Sequence, residues 1–280
     1  MAHRRRRCRR HAAASASSTL KLSRAWLAGL GLLAGCGSLP HDRTWGADAT
    51  AQPGWNTLAE SARRAAVDPG VWIPLLGAAA FQAGDFDRRA SNWARRHTPV
   101  FGSQHRAERW SDDLRDASAY AHYATMLAAR SGEDAPSWFG NKARGALVDA
   151  GSVASTVAIT RGLKTTIDRE RPNGLATESF PSGHTSSSAV HTTLASRNLE
   201  FVAVRPRVRK ALDAGLYTMA LGTSWARVEA GWHYPSDTLF SMALGRFIAA
   251  WVNDAFLDPG RGSGSWTVRI SLAEADLVHP

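Results

Sequence analysis

Lys164 stands seven residues before Arg171, and Pro172 follows Arg171 directly. Proline disfavours helix at the residue before it, so the chain leaves a helix near Arg171 and frees the guanidinium from the helix face. A second segment, Phe180-Pro181-Ser182-Gly183-His184, runs into the small-residue stretch Thr185 to Val190. Pro and Gly make a tight entry to a helix, whose first N–H groups and positive dipole end form an anion site. Ser182 caps that helix or donates to the anion, and His184 in the first turn stands beside it. In the third segment, Arg227 to Asp237, Pro235 opens a helix. His233 and Asp237 are four residues apart, so the carboxylate can accept from one ring nitrogen and leave the other as nucleophile or base. Arg227 adds a fork suited to oxyanions.

Each segment alone has a plainer reading. A lysine near a helix C-terminus is a routine dipole partner, Ser182 a plain cap beside an exposed histidine, and His233 with Asp237 a satisfied core pair. In this order, however, Lys-x6-Arg-Pro, Pro-Ser-Gly-His and Arg-x5-His-x3-Asp resemble the signature of the phosphatidic acid phosphatase type 2 superfamily. Lipid phosphate phosphatases, bacterial acid phosphatases and vanadium-dependent haloperoxidases are its members. The motifs span residues 164–237, with one departure: Ala226 precedes Arg227 where the superfamily usually has serine.

The resemblance implies a helical bundle and a role for each position. His233 attacks phosphorus and becomes a phosphohistidine, and Asp237 orients it. His184 protonates the leaving alcohol and then activates water. Lys164, Arg171, Arg227, Ser182 and the Gly183 N–H hold the phosphoryl oxygens, where negative charge spreads in the transition state. No metal or other cofactor is implied, and vanadate is expected to inhibit as a phosphate mimic. Three rivals exist: a vanadate-dependent haloperoxidase on the same cradle, a metal site built from His184, His191, His233 and Asp237, and a non-catalytic lipoprotein that binds a phosphorylated lipid. Against the second, three cations would repel a divalent ion. Against the third, every main catalytic position is filled.

The elements that must position these residues read as helices. Apolar residues recur at spacings of three and four, as in Trp110, Leu114, Ala117, Ala121, Ala124 and Leu127. Helices are expected near 56–67, 71–82, 85–96, 105–130, 137–163, 184–201, 206–225 and 235–254, an all-α single-domain bundle. The longest uncharged, mainly apolar stretch after the N-terminus, Pro69 to Gly84, has 16 residues and two prolines, too short for a membrane span of about 20. No membrane-spanning helix is expected in the mature domain. A strand is expected only at Trp266 to Leu272.

Charge narrows the partners. The 280 residues carry 34 Lys+Arg against 24 Asp+Glu, a formal +10 that points to nucleic acid. Eight of the basic residues lie within residues 1–35, which hold no acidic one, and removing them leaves 26 against 24. No nucleic-acid partner is therefore expected. The basic stretch Arg4 to Arg24 followed by the apolar run Ala25 to Leu33 has the order of a secretory signal. Leu33-Ala34-Gly35-Cys36 resembles the lipobox of bacterial lipoproteins, with Cys36 acylated and the signal over residues 1–35 removed. Gly37 after it is not the Asp typical of inner-membrane retention, which places the chain on the periplasmic face of the outer membrane. Residues 36–54 then form the lipidated cysteine and a flexible tether, 55–258 the helical phosphatase domain, and 259–280 an appendage. The expected partners are the membrane, through the anchor, and a phosphorylated lipid or small phosphomonoester.

Overall fold

The computed structural model describes Leu39 and residues 42–259. Cys36, the signal segment and the expected strand at 266–272 lie outside the described residues. Within them the chain is helical: α1 (Trp55–Ala66), α2 (Pro69–Phe81), α3 (Phe86–His97), α4 (Gln104–Ala128), α5 (Ala135–Ile167), α6 (Gly183–Asn198), α7 (Pro206–Glu229) and α8 (Pro235–Val252). A 3-10 turn (Leu199–Phe201) follows α6, and a π turn (Asn253–Leu257) follows α8. The helices begin where their caps dictate. Asp68, Ser103, Asp134 and Ser182 each accept a first-turn N–H, and Pro69, Pro136, Pro206 and Pro235 occupy first or second positions. Each of the eight helices expected from sequence is present. The clearest differences are at C-termini: α5 runs on to Ile167 and stops at Asp168, whose φ of 47° is left-handed, and α7 runs on to Glu229.

Helices α6 and α8 form the centre. Around them, α8 packs against α1, α2, α5 and α7, and α6 against α4, α5 and α7. The central pair approach closely because Gly245 lacks a side chain. A Cβ there would sit 2.5 Å from the Ser186 carbonyl oxygen.

The buried faces are mostly small and hydroxylic. On α4 they are Ala107, Ser111, Ser118, His122 and Thr125, whereas Trp110 and Leu127 of the expected apolar stripe are exposed. On α5 they are Asn141, Lys142, Gly145, Asp149, Ser152, Thr156 and Thr160. Such faces persist because their hydroxyls are satisfied. Ser118 and Ser188 share a hydrogen bond of 2.7 Å between α4 and α6, Thr160 and Ser186 one of 3.1 Å between α5 and α6, and Thr156 donates back to the Ser152 carbonyl.

The tether is shorter than expected. Trp45 is fully buried against Ala129, Phe201 and Leu257, its indole N–H donates to Asn198 at 2.8 Å, and Arg43 pairs with Asp258. An indole brings a large apolar area and one donor, and here both are used. Gly145 makes room for it, since a Cβ there would lie 2.5 Å from the ring.

Candidate active site

The three sequence segments meet at one end of the bundle. Lys164 lies in the last turn of α5, with its Cε 4.0 Å from where a Cβ of Gly183 would be, at the first residue of α6. Arg227 lies in the last turn of α7 and is 6% exposed. Arg171 comes from the loop between α5 and α6, where its N–H donates to the Ala176 carbonyl and its own carbonyl accepts from Gly174 N–H. Trp232 gathers the two guanidinia, with Arg171 4.9 Å and Arg227 5.2 Å from its ring centroid. None of the three cations has a carboxylate within ion-pair reach among the described residues. Nε of Arg171 and Nε of Arg227 are buried without a hydrogen-bond partner. Arg227 is buried, Lys164 and Arg171 are half-buried, and the Lys164 ammonium donates to the Glu178 carbonyl; drawing such charges together costs free energy unless an anion joins them.

His233 sits in the turn between α7 and α8 and is 2% exposed. Its Nδ1 lies 2.5 Å from the Ser179 carbonyl oxygen. A carbonyl only accepts, so the proton is on Nδ1, and Nε2, which has no partner among the described residues, carries the lone pair. Burial first, then Arg227 and Lys164, hold the His233 pKa well below its ordinary value, against the pull of the Ser179 carbonyl. The ring is therefore neutral at physiological pH, as a nucleophile must be.

The expected hydrogen bond between His233 and Asp237 is absent. Asp237 stands at the third position of α8 and reaches back to the Tyr234 N–H at 2.9 Å, closing the helix start. That turns its carboxylate towards the loop, where it accepts from the Ser179 hydroxyl at 2.6 Å and pairs with Arg169. Ser179 thus links the two, its hydroxyl on Asp237 and its carbonyl on the His233 ring. Burial pushes the Asp237 carboxyl up to about 6, opposed by Arg169 and the Ser179 hydroxyl. Arg169 bridges onward to Asp87 of α3 at 2.8 Å, and Asp87 accepts the Ser236 N–H at 3.0 Å.

Ser182 caps α6 as expected. Its oxygen accepts from Thr185 N–H, and its own N–H is committed to Ser241 Oγ at 2.7 Å. His184, in the first turn, has Nε2 2.8 Å from Asp112 and 2.9 Å from Arg115, both on α4. Burial and then Arg227 lower its pKa to about 4, with Asp112 opposing. Arg227 thus acts on both histidines. His191 stands elsewhere, its Nδ1 3.0 Å from that of His122, which in turn meets Asp149. Ala226, where serine was the expectation, is fully buried in α7.

Sequence reasoning missed Ser179, Arg169, Asp87, Asp112, Arg115 and Trp232. Arg169 and Ser179 lie within or next to the quoted segments and carry a local signal in their proximity. Asp87 and Asp112 reach the site only through tertiary packing.

Residues 146–260 match the family model of the PAP2 superfamily, a stretch that holds every motif residue. No curated protein sequence matches the chain. Among solved structures, the fold is similar to that of the transmembrane PAP2-type phosphatidylglycerolphosphate phosphatase from Bacillus subtilis. The likeness has a TM-score of 0.50 and 18% identity, and covers 65% of this chain and 91% of that one. The segment that holds the site, residues 146–260, is thus similar to the PAP2 superfamily, and that similarity supports a phosphoric ester hydrolase.

Proposed function

We propose that the chain hydrolyses phosphomonoesters through a phosphohistidine on His233. The observation that carries this reading is the His233 tautomer: the Ser179 carbonyl fixes the proton on Nδ1, so Nε2 offers a lone pair beside three cations that have no carboxylate partner among the described residues. Lys164, Arg171, Arg227 and the Gly183 N–H take the phosphoryl oxygens. Nε2 attacks phosphorus, the bond to the ester oxygen breaks, and His184 gives that oxygen its proton. His184 then takes a proton from water, the new hydroxide oxygen bonds to phosphorus, the P–N bond breaks and orthophosphate leaves. Three guanidinium and ammonium groups supply the charge that a metal ion supplies elsewhere, so no metal enters the scheme.

The substrate class extends to lipid phosphates and diphosphates, a reading supported by the family and by the phosphatidylglycerolphosphate named for the similar structure. The domain faces the periplasm as a lipoprotein anchored through Cys36, a reading that rests on the N-terminal sequence alone. Phosphate release by the full chain from a chromogenic phosphomonoester in EDTA, with an orthovanadate series, tests the reaction. Chelator-resistant, vanadate-sensitive turnover is expected. Turnover that EDTA abolishes would overturn the scheme.

A further inference from the structure

Among the described residues, the packing of α2 leaves most of its surface without a protein partner. It rests on α8 through Val71, Pro74 and Ala78, spaced three and four apart. The rest of its circumference turns outward and is apolar: Trp72 is 43%, Ile73 52% and Leu76 62% exposed. From Pro69 to Gly84 there is no charged side chain. An exposed apolar patch of this kind marks an interaction surface.

The neighbouring helix supplies the opposite chemistry. Phe81 and Phe86 stack at the α2–α3 turn, with ring centroids 4.7 Å apart. Beyond them α3 exposes Arg88, Arg89, Trp93 and Arg96. Its Asp87 is turned inward to Arg169, so Asp85 is the one acidic side chain on the outer side of residues 69–97. The inner side of the same hairpin is tied to the active site. Gln82 donates to Ser236 at 2.7 Å, Asp87 holds Ser236 and Arg169, and Arg95 donates to the Pro172 carbonyl.

We propose that the outer face of the α2–α3 hairpin docks on an anionic lipid bilayer, with α2 entering the acyl boundary and the α3 arginines meeting lipid phosphates. A helix with an apolar outer face, beside arginines and tryptophan, is the arrangement that settles in the plane of a membrane interface. The 13 residues of α2 extend about 20 Å, short of the roughly 30 Å hydrocarbon core. No helix among the described residues is long and apolar enough to cross a membrane, so the surface enters without spanning. Charge selects lipid over a second copy of the chain. A second copy presents the same arginines and only Asp85 against them, whereas an anionic bilayer presents an apolar interior beneath a negative surface. Docking is separable from the reaction; only its consequence, a phosphate ester drawn from the headgroup layer, rests on the phosphatase reading.

The test is site-specific. Full chain carrying Cys8→Ser and Cys36→Ser has no native thiol and no acylation site. Leu76→Cys is then labelled with a polarity-sensitive nitrobenzoxadiazole dye, and Leu127→Cys serves as reference, being exposed on α4, which packs against α6 and α7. Vesicles of phosphatidylglycerol and phosphatidylcholine are expected to blue-shift and brighten the dye at residue 76, with quenching by spin-labelled acyl chains, and to leave it unchanged at residue 127. Adding Arg88→Gln and Arg89→Gln is expected to raise the vesicle concentration needed by about tenfold. Ile73→Cys repeats the measurement independently, and phosphate release by each variant shows the fold intact and reports on the reaction separately. No shift at residues 73 and 76, equal shifts at 76 and 127, or a shift at 76 that follows protein concentration without lipid would each overturn the proposal, the last in favour of self-association.

Discussion

The carbonyl oxygen of Ser179 accepts the Nδ1 proton of His233 at 2.5 Å, and this contact sets the tautomer on which the chemistry depends. The hydroxyl of the same serine donates to Asp237, so the carboxylate steers the ring at one remove. Ser179→Ala keeps the carbonyl and loses the hydroxyl. It is expected to lower kcat roughly tenfold, about the worth of one hydrogen bond to a charged group, with KM little changed. Asp237→Asn, which also disturbs Arg169 and the α8 start, is expected to cost roughly a hundredfold or more. Steady-state kinetics on both decide the matter. An unaffected Ser179→Ala beside a dead Asp237→Asn would mean that Asp237 meets His233 directly during turnover.

Trp232 brings the guanidinia of Arg171 and Arg227 together, and among the described residues neither is paired with a carboxylate. Removing either by substitution to alanine is expected to lower kcat/KM by roughly a hundredfold to a thousandfold. Arg171→Lys keeps the charge and loses the fork, and an intermediate loss is expected. Calorimetric titration with orthovanadate checks the ground-state part: affinity falls in all three variants if the cradle holds a tetrahedral anion.

The depressed histidines make a signed statement about pH. His184 and His191 each titrate at about 4 in the folded chain, against about 6.5 when unfolded. Below pH 6.5 the unfolded chain therefore binds protons that the folded one refuses. Stability is full above pH 6.5 and falls towards pH 4, on the order of 3 kcal/mol for each ring. Melting temperatures across this range are expected to drop, and orthophosphate is expected to offset part of the drop because a bound anion favours protonated His184. Activity runs the other way. Since His184 must carry a proton to the leaving oxygen, kcat/KM for alkyl phosphates rises as pH falls from 7 towards 5, and His184→Gln flattens that slope.

Asp87 holds Arg169 and Ser236 together and is buried. Asp87→Ala leaves Arg169 with Asp237 alone and strips the Ser236 N–H of its acceptor. The expected destabilisation is about 3 kcal/mol, the usual cost of breaking a buried pair on one side. Denaturant unfolding measures it, and a change below about 0.5 kcal/mol would place the network at the surface in energetic terms.

The fold was legible because its helix starts are written locally: Asp134 with Pro136, Ser182 with Gly183, and Pro235 after Tyr234 mark their elements without help from packing. The interior was less so. The buried stripe of α4 is Ser111, Ser118 and His122 rather than Trp110 and Leu127, because hydroxyls paired across helices permit a closer approach than leucines do. Trp45 reads as part of a Gly- and Pro-rich tether, and only Gly145, 100 residues on, leaves it a slot. At the site, Lys164, Arg171, His184, Arg227 and His233 stand in motifs whose family resemblance, more than spacing alone, singles them out. The partner of His233 was not, since an i,i+4 spacing allows Asp237 to reach the ring but does not exclude the stronger claim of the Tyr234 N–H. Asp87 and Asp112 arrive from α3 and α4, and no local pattern announces either.

In the proposed reaction, Nε2 of His233 carries the phosphoryl group between ester and water. Rapid mixing of the full chain with a radiolabelled phosphomonoester, quenched in alkali and digested, tests it directly. Label is expected on the peptide containing His233, stable to alkali and released by acid, and absent from His233→Ala. Turnover with no label on that peptide, or label that persists in His233→Ala, would contradict it.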